Sequence, residues 1–123
     1  CMGDGKILVR KNQSGVKFNE EIYDNIDAMF AHVKDAMNSM LALLGNMEHA
    51  SEHEIIKSYN KEREINNFRN QLRTGNIANI NDKHYEYQAG IYYMDLVANL
   101  EKTGDYIINV VDSIKELMRQ TAA

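Results

Sequence analysis

The chain is expected to be all-α, an up-down-up bundle of three helices, and three observations predict it. Proline is absent from all 123 residues, so nothing forbids long uninterrupted helices. Apolar residues recur at intervals of three and four over three long segments, the period of one helix face. Those segments are separated by short polar stretches holding Gly, Asn and Ser, which start and stop helices.

From Cys1 to about residue 17 the chain is polar and punctuated by Gly3, Gly5 and Gly15. It reads as a leader or linker, with one short strand at Ile7-Leu8-Val9. The domain proper is expected over residues 18–121. Its first stripe runs Phe18, Ile22, Ile26, Met29, Val33, Met37, Met40, Leu44 and closes at Gly45, a residue suited to a helix C-terminus. The second helix is announced by Ser51 with Glu54 three residues on, the spacing at which a hydroxyl accepts from a free backbone N–H. It continues through Ile55, Tyr59, Glu62, Ile65 or Asn66, Phe68 and Leu72, and is expected to end before Gly75. Thr74 to Asn81 then forms the connection, and Asn81 or Asp82 caps a third and longest helix. The stripe of that helix reads Tyr85, Ala89, Tyr92, Leu96, Leu100, Ile107, Val111, Ile114 and Met118.

Composition narrows the function. A net charge of −4, with Lys and Arg scattered, provides no basic stripe to neutralise phosphates along a nucleic acid. The single cysteine, Cys1, rules out an intramolecular disulfide and a thiolate zinc site. No apolar run nears the roughly 20 residues that span a bilayer. A start at Cys-Met does not read as a natural translational start; a fragment, a cloning remnant and a processed lipoprotein with lipid on Cys1 are the three readings, the last the weakest. No nucleophile elbow, phosphate-cradling glycine loop or dinucleotide fingerprint is present, so enzymatic chemistry finds little support, and the lack of a Glu-x-x-His pair disfavours a ferritin-like di-iron oxidase. A metal-dependent enzyme would need open-coordination ligands and a substrate pocket that the residues do not suggest.

Two polar pairs stand out. Glu101 and Asp105 lie at i and i+4 on the third helix, and Glu62 and Asn66 have the same spacing on the second. If the two helices pack antiparallel, three carboxylates and an amide oxygen can meet, an all-oxygen set suited to hard cations rather than zinc. The same residues also fit solvated helix positions paired with Arg63, Arg69 or Lys102, and spacing alone favours that plainer reading. Gly104, between the two carboxylates, costs a helix about 1 kcal/mol relative to Ala. Close approach of a neighbouring helix backbone, or room for a ligand, would offset that cost. His49 and His53 also stand at i and i+4 but in a stretch crowded with Glu48, Glu52 and Glu54; they, His32 and His84 make weak candidates.

Leu100-Glu101-Lys102-Thr103-Gly104-Asp105, followed by Tyr106-Ile107-Ile108-Asn109, resembles the terminal-helix signature of the PhoU family of phosphate-uptake regulators. Glu62-Arg63-Glu64-Ile65-Asn66 resembles the acidic motif of that family's second helix, and the resemblance covers about Phe18 to Met118. It implies a three-helix repeat that regulates phosphate transport without catalysis. It also implies that Glu62, Asn66, Glu101 and Asp105 would ligate iron or another hard divalent metal. PhoU-like domains also form the cytoplasmic tails of sodium-phosphate cotransporters, which implies a place at the inner face of the membrane and a phosphate transporter as partner, in the same full-length chain. Two departures matter. Free-standing members have two repeats where this chain has one, so dimerisation would complete the assembly, and Asn66 is a neutral ligand where a carboxylate could stand. The competing expectation is a helical module that oligomerises a larger protein and binds no metal.

Overall fold

In the computed structural model, Ile7 and residues 15–122 are described, with the side chains of the last two left aside. Three helices follow one another: α1 (Glu20–Gly45), α2 (Glu52–Asn81) and α3 (Tyr87–Ala122). Each packs against both others, which makes an all-α three-helix bundle; among the described residues there is no strand.

The helix starts follow from local chemistry. Asn19 caps α1, its Oδ1 accepting from the Ile22 N–H at 2.8 Å, and Glu20 and Glu21 place negative charge on the positive end of the helix dipole. Ser51 caps α2 as expected, its hydroxyl accepting from the Glu54 N–H at 3.3 Å. α1 ends at Gly45, yet without the left-handed turn typical of glycine stops. The Asn46 N–H instead closes on the Leu43 carbonyl.

Two boundaries differ from expectation. α2 runs straight through Gly75 to Asn81, because the turn after Gly75 still has partners to bury against. Asn76 is buried, and Ile80 lies against Gly90 of α3, where a methyl group would stand only 2.6 Å from Ile80 Cδ1. Asp82 therefore caps the end of α2, not the start of α3, and Lys83 takes the left-handed φ of 59° that turns the chain. The connection to α3 shrinks to Asp82–Glu86, and the Tyr85 hydroxyl donates back to Asn76 Oδ1 at 2.6 Å.

The core is the one the periodicity implied, with small rotations. Ile22, Met29, Val33 and Met40 of α1 meet Ile55, Ile65 and Leu72 of α2 and Leu96, Leu100, Ile107, Val111 and Ile114 of α3. Leu43 is buried where Leu44 was expected, and Tyr93 takes the core position expected of Tyr92. Residues from both sides of the expected domain start, Ile7 and Val16 before it and Phe18 at it, reach the core. Ile7 is helical rather than extended. The rest of the expected strand, Leu8 and Val9, and Cys1 lie outside the described residues. No helix of the described residues is long and apolar enough to cross a membrane.

Candidate functional site

The two singled-out motifs do meet, at the middle of the α2/α3 seam. Glu62, Ile65, Asn66 and Arg69 follow one another at helical spacing along one side of α2, and Leu100, Glu101 and Gly104 stand on the facing side of α3. Ile65 is fully buried, and its side chain fills the space over Gly104. A methyl group on Gly104 would lie 3.2 Å from Ile65 Cδ1. The glycine is thus explained by close approach, with a side chain and not a backbone as the neighbour.

One turn further along α2, Arg69 reaches Glu101. Its Nη1 donates to Oε1 at 2.9 Å, and its Nε lies 2.6 Å from Oε2, off the line of a hydrogen bond. Both groups are half-sheltered, and Nε and Oε2 are shut off from solvent. Glu62 is engaged within its own helix, its Oε1 accepting from Asn66 Nδ2 at 2.7 Å. Asp105 is exposed.

The contacts of Glu62, Asn66, Glu101 and Asp105 bear on the metal centre expected there. Among the described residues no group of three or more His, Cys, Asp or Glu is placed to hold a metal ion. The physical reason is visible at each residue. A guanidinium holds the Glu101 carboxylate, the donor end of the Asn66 amide faces Glu62, and Ile65 occupies the room above Gly104. The four residues as arranged do not fit the metal that the resemblance implied.

The histidines form no chelate. His49 lies in the turn before α2 and His53 in the first turn of the helix, so they do not share a helix face. His32 stands 4.0 Å from Glu64 and packs on the Phe68 ring, centroids 5.0 Å apart, and His84 sits in the exposed α2–α3 turn.

Two features were not foreseen. Near the far end of the α2/α3 seam the Tyr59 hydroxyl donates to Asp112, which pushes it up to about 12, and Lys115 Nζ lies 5.7 Å from the ring centroid. Beside it an open groove of about 620 Å³ is lined by Ile55, Ile56, Tyr59 and Met118 together with the charged Glu52, Lys115 and Arg119. At the opposite end the Tyr93 hydroxyl is buried, and burial pushes it up to about 12. Neither feature has a short-range signal: Asp112 is 53 residues from Tyr59.

Comparison with known proteins finds no matching family model, no matching curated protein and no matching solved structure. The functional reading therefore rests on the chain's own geometry and on the motifs already described.

Proposed function

We propose that this chain is a non-enzymatic regulatory domain of phosphate uptake, of the PhoU-like kind found on the cytoplasmic side of sodium-phosphate cotransporters. The observation that carries the reading is that the two resembling motifs form one contact. Glu101 of the last-helix motif binds Arg69, just past the second-helix motif, and Gly104 of the same motif receives Ile65 of the other. Motif residues that close a helix seam suit a family signature kept for the shape of the bundle, with regulation exerted from its surface. The partner is a membrane phosphate transporter, and the metal is left out of the proposal.

Deleting residues 18–121 from the gene that encodes them, and measuring uptake of labelled phosphate in starved and phosphate-replete cells, tests this. Loss of the difference between the two conditions is expected. Uptake that responds to phosphate as before would overturn the reading.

A specific observation favours a second reading, a helical module that assembles a larger protein. Phe30, Met37 and Leu44 follow one another at seven-residue intervals on α1, and Phe30, Leu41 and Leu44 are 55 %, 53 % and 44 % exposed. Exposed Phe30, Leu41 and Leu44, with half-buried Met37 between them, suit the packing of a further helix on α1. Light scattering separates the two readings in part: a stable oligomer that dissociates on Phe30→Asp, in a chain whose deletion leaves phosphate uptake unchanged, would select the module.

A further inference from the structure

We infer that Arg69 is the built-in cation of the α2/α3 seam. It occupies the Glu101 carboxylate that the resemblance would give to a metal ion, and the seam closes without metal. The inference deepens the regulatory reading and rests on the same resemblance for the expectation of a metal; the contacts themselves do not depend on it.

Three placements carry it. The first is the cation. A metal binding Glu101 would have to come within roughly 2.0–2.6 Å of a carboxylate oxygen. The guanidinium of Arg69 already lies 2.6 Å from Oε2 and 2.9 Å from Oε1, so a second positive charge would be driven onto the first. Arginine keeps its charge at any ordinary pH, and its planar fork matches both oxygens of one carboxylate. It cannot step aside by losing a proton, as a lysine might be made to do.

The second placement is the space. Room over the carboxylates was the other condition for a cluster, and Ile65 fills it, with no part of its side chain exposed. An apolar methyl against Gly104 offers no ligand and excludes the waters that a hard cation keeps in its shell.

The third is what is left over. Glu62 accepts from the Asn66 amide and Asp105 faces solvent, and among the described residues no group of three or more His, Cys, Asp or Glu is placed to share a metal ion with Glu101. Oε2 of Glu101 and Nε of Arg69 are both withdrawn from water. Each group is then the main compensation for the other, and removing one leaves a sheltered charge behind.

The full chain, purified without chelator, provides the test. Elemental analysis should find no stoichiometric iron, manganese, magnesium or calcium. The melting temperature should be the same with EDTA and with millimolar MnCl₂, because a ligand that binds only the folded state would raise it. Stoichiometric metal that EDTA removes, with a fall in melting temperature, would overturn the inference. In a second arm, Arg69→Met and Glu101→Gln are each expected to lower the melting temperature by about 5–10 °C, and the double variant by clearly less than the sum. Strictly additive losses would overturn the pairing. If a single variant fails to fold, the metal arm on the unaltered chain still decides. Neither arm reads phosphate uptake, so a metal-free seam in a chain whose deletion leaves uptake unchanged would sink the regulatory reading alone.

Discussion

The α2/α3 seam and the α1/α2 seam each carry one tight ion pair, and their separations are the same. Arg69 Nε lies 2.6 Å from Glu101 Oε2, and Lys61 Nζ lies 2.6 Å from Asp35 Oδ2. The surroundings differ. Glu101 is 18 % exposed and sits beside the buried Ile65–Gly104 contact, whereas Asp35 is 52 % exposed on the outer edge of α1. Water and salt screen the second pair and reach the first far less. Distance therefore does not rank these interactions; shelter does. The comparison teaches that a motif with carboxylates at helical spacing acquires its role from what stands between it and solvent.

The largest effect should come from the apolar half of the α2/α3 seam. Ile65→Ala removes a fully buried side chain from over Gly104 and should cost about 2–5 kcal/mol, read from urea denaturation. Arg69→Met comes next. It keeps a long apolar stem but strands the sheltered Glu101 carboxylate, for an expected loss of about 1–3 kcal/mol, below the cost of a fully buried pair because both groups retain some contact with water. Gly104→Ala is the sharper probe of shape. It gains about 1 kcal/mol of helix propensity and meets Ile65 Cδ1 at 3.2 Å, so the two effects nearly cancel. Ile65→Val deletes that Cδ1. The double variant Gly104→Ala/Ile65→Val should therefore be more stable than the two singles predict, by about 0.5–1 kcal/mol. A strictly additive result would mean that the close approach does not govern this seam.

The bundle was legible because its signal is local and repeated. A period of 3.6 residues over segments as long as α1 and α3 leaves no competing reading, and the Ser51 cap is a contact between near neighbours. The far end of α2 was not legible for a physical reason. A glycine reads as a stop when nothing else is known, yet the turn beyond Gly75 buries Asn76 and rests Ile80 on Gly90, a contact between residues ten apart across a turn. Tertiary burial outweighs a propensity cost of about 1 kcal/mol. The same limit applies at the site. Spacing shows that Glu62 and Asn66 share a face, as do Glu101 and Asp105. It does not show that Arg69, 32 residues before Glu101, would reach it first. Arg69 stood among three candidate partners, and only the facing of α2 and α3 selects it. The orientation that puts Arg69 on Glu101 also puts Ile65 on Gly104, so one rotation of α2 decides both halves of the seam.

The smallest effect belongs to the exposed pair and is the most direct check on ranking by shelter. The hydrogen bond from Lys61 holds the Asp35 carboxyl below its ordinary value of 3.8. A carboxyl lowered in the folded state adds stability that is present above the unfolded value and disappears as pH falls through the folded one. The difference between the natural chain and Asp35→Asn should therefore be visible at neutral pH and vanish in acid below the ordinary carboxylate range. Because Asp35 is half open to water, that difference should be small, about 2 °C in melting temperature or less, and added salt should shrink it further. The loss from Arg69→Met should be larger and should change little with salt. If Asp35→Asn proved as costly as Arg69→Met in the same buffer, two pairs of equal length would be equal in energy despite unequal shelter. The carboxylate of Glu101 would then be as open to exchange its partner as that of Asp35, and the case for Arg69 as a built-in cation would lose its physical basis.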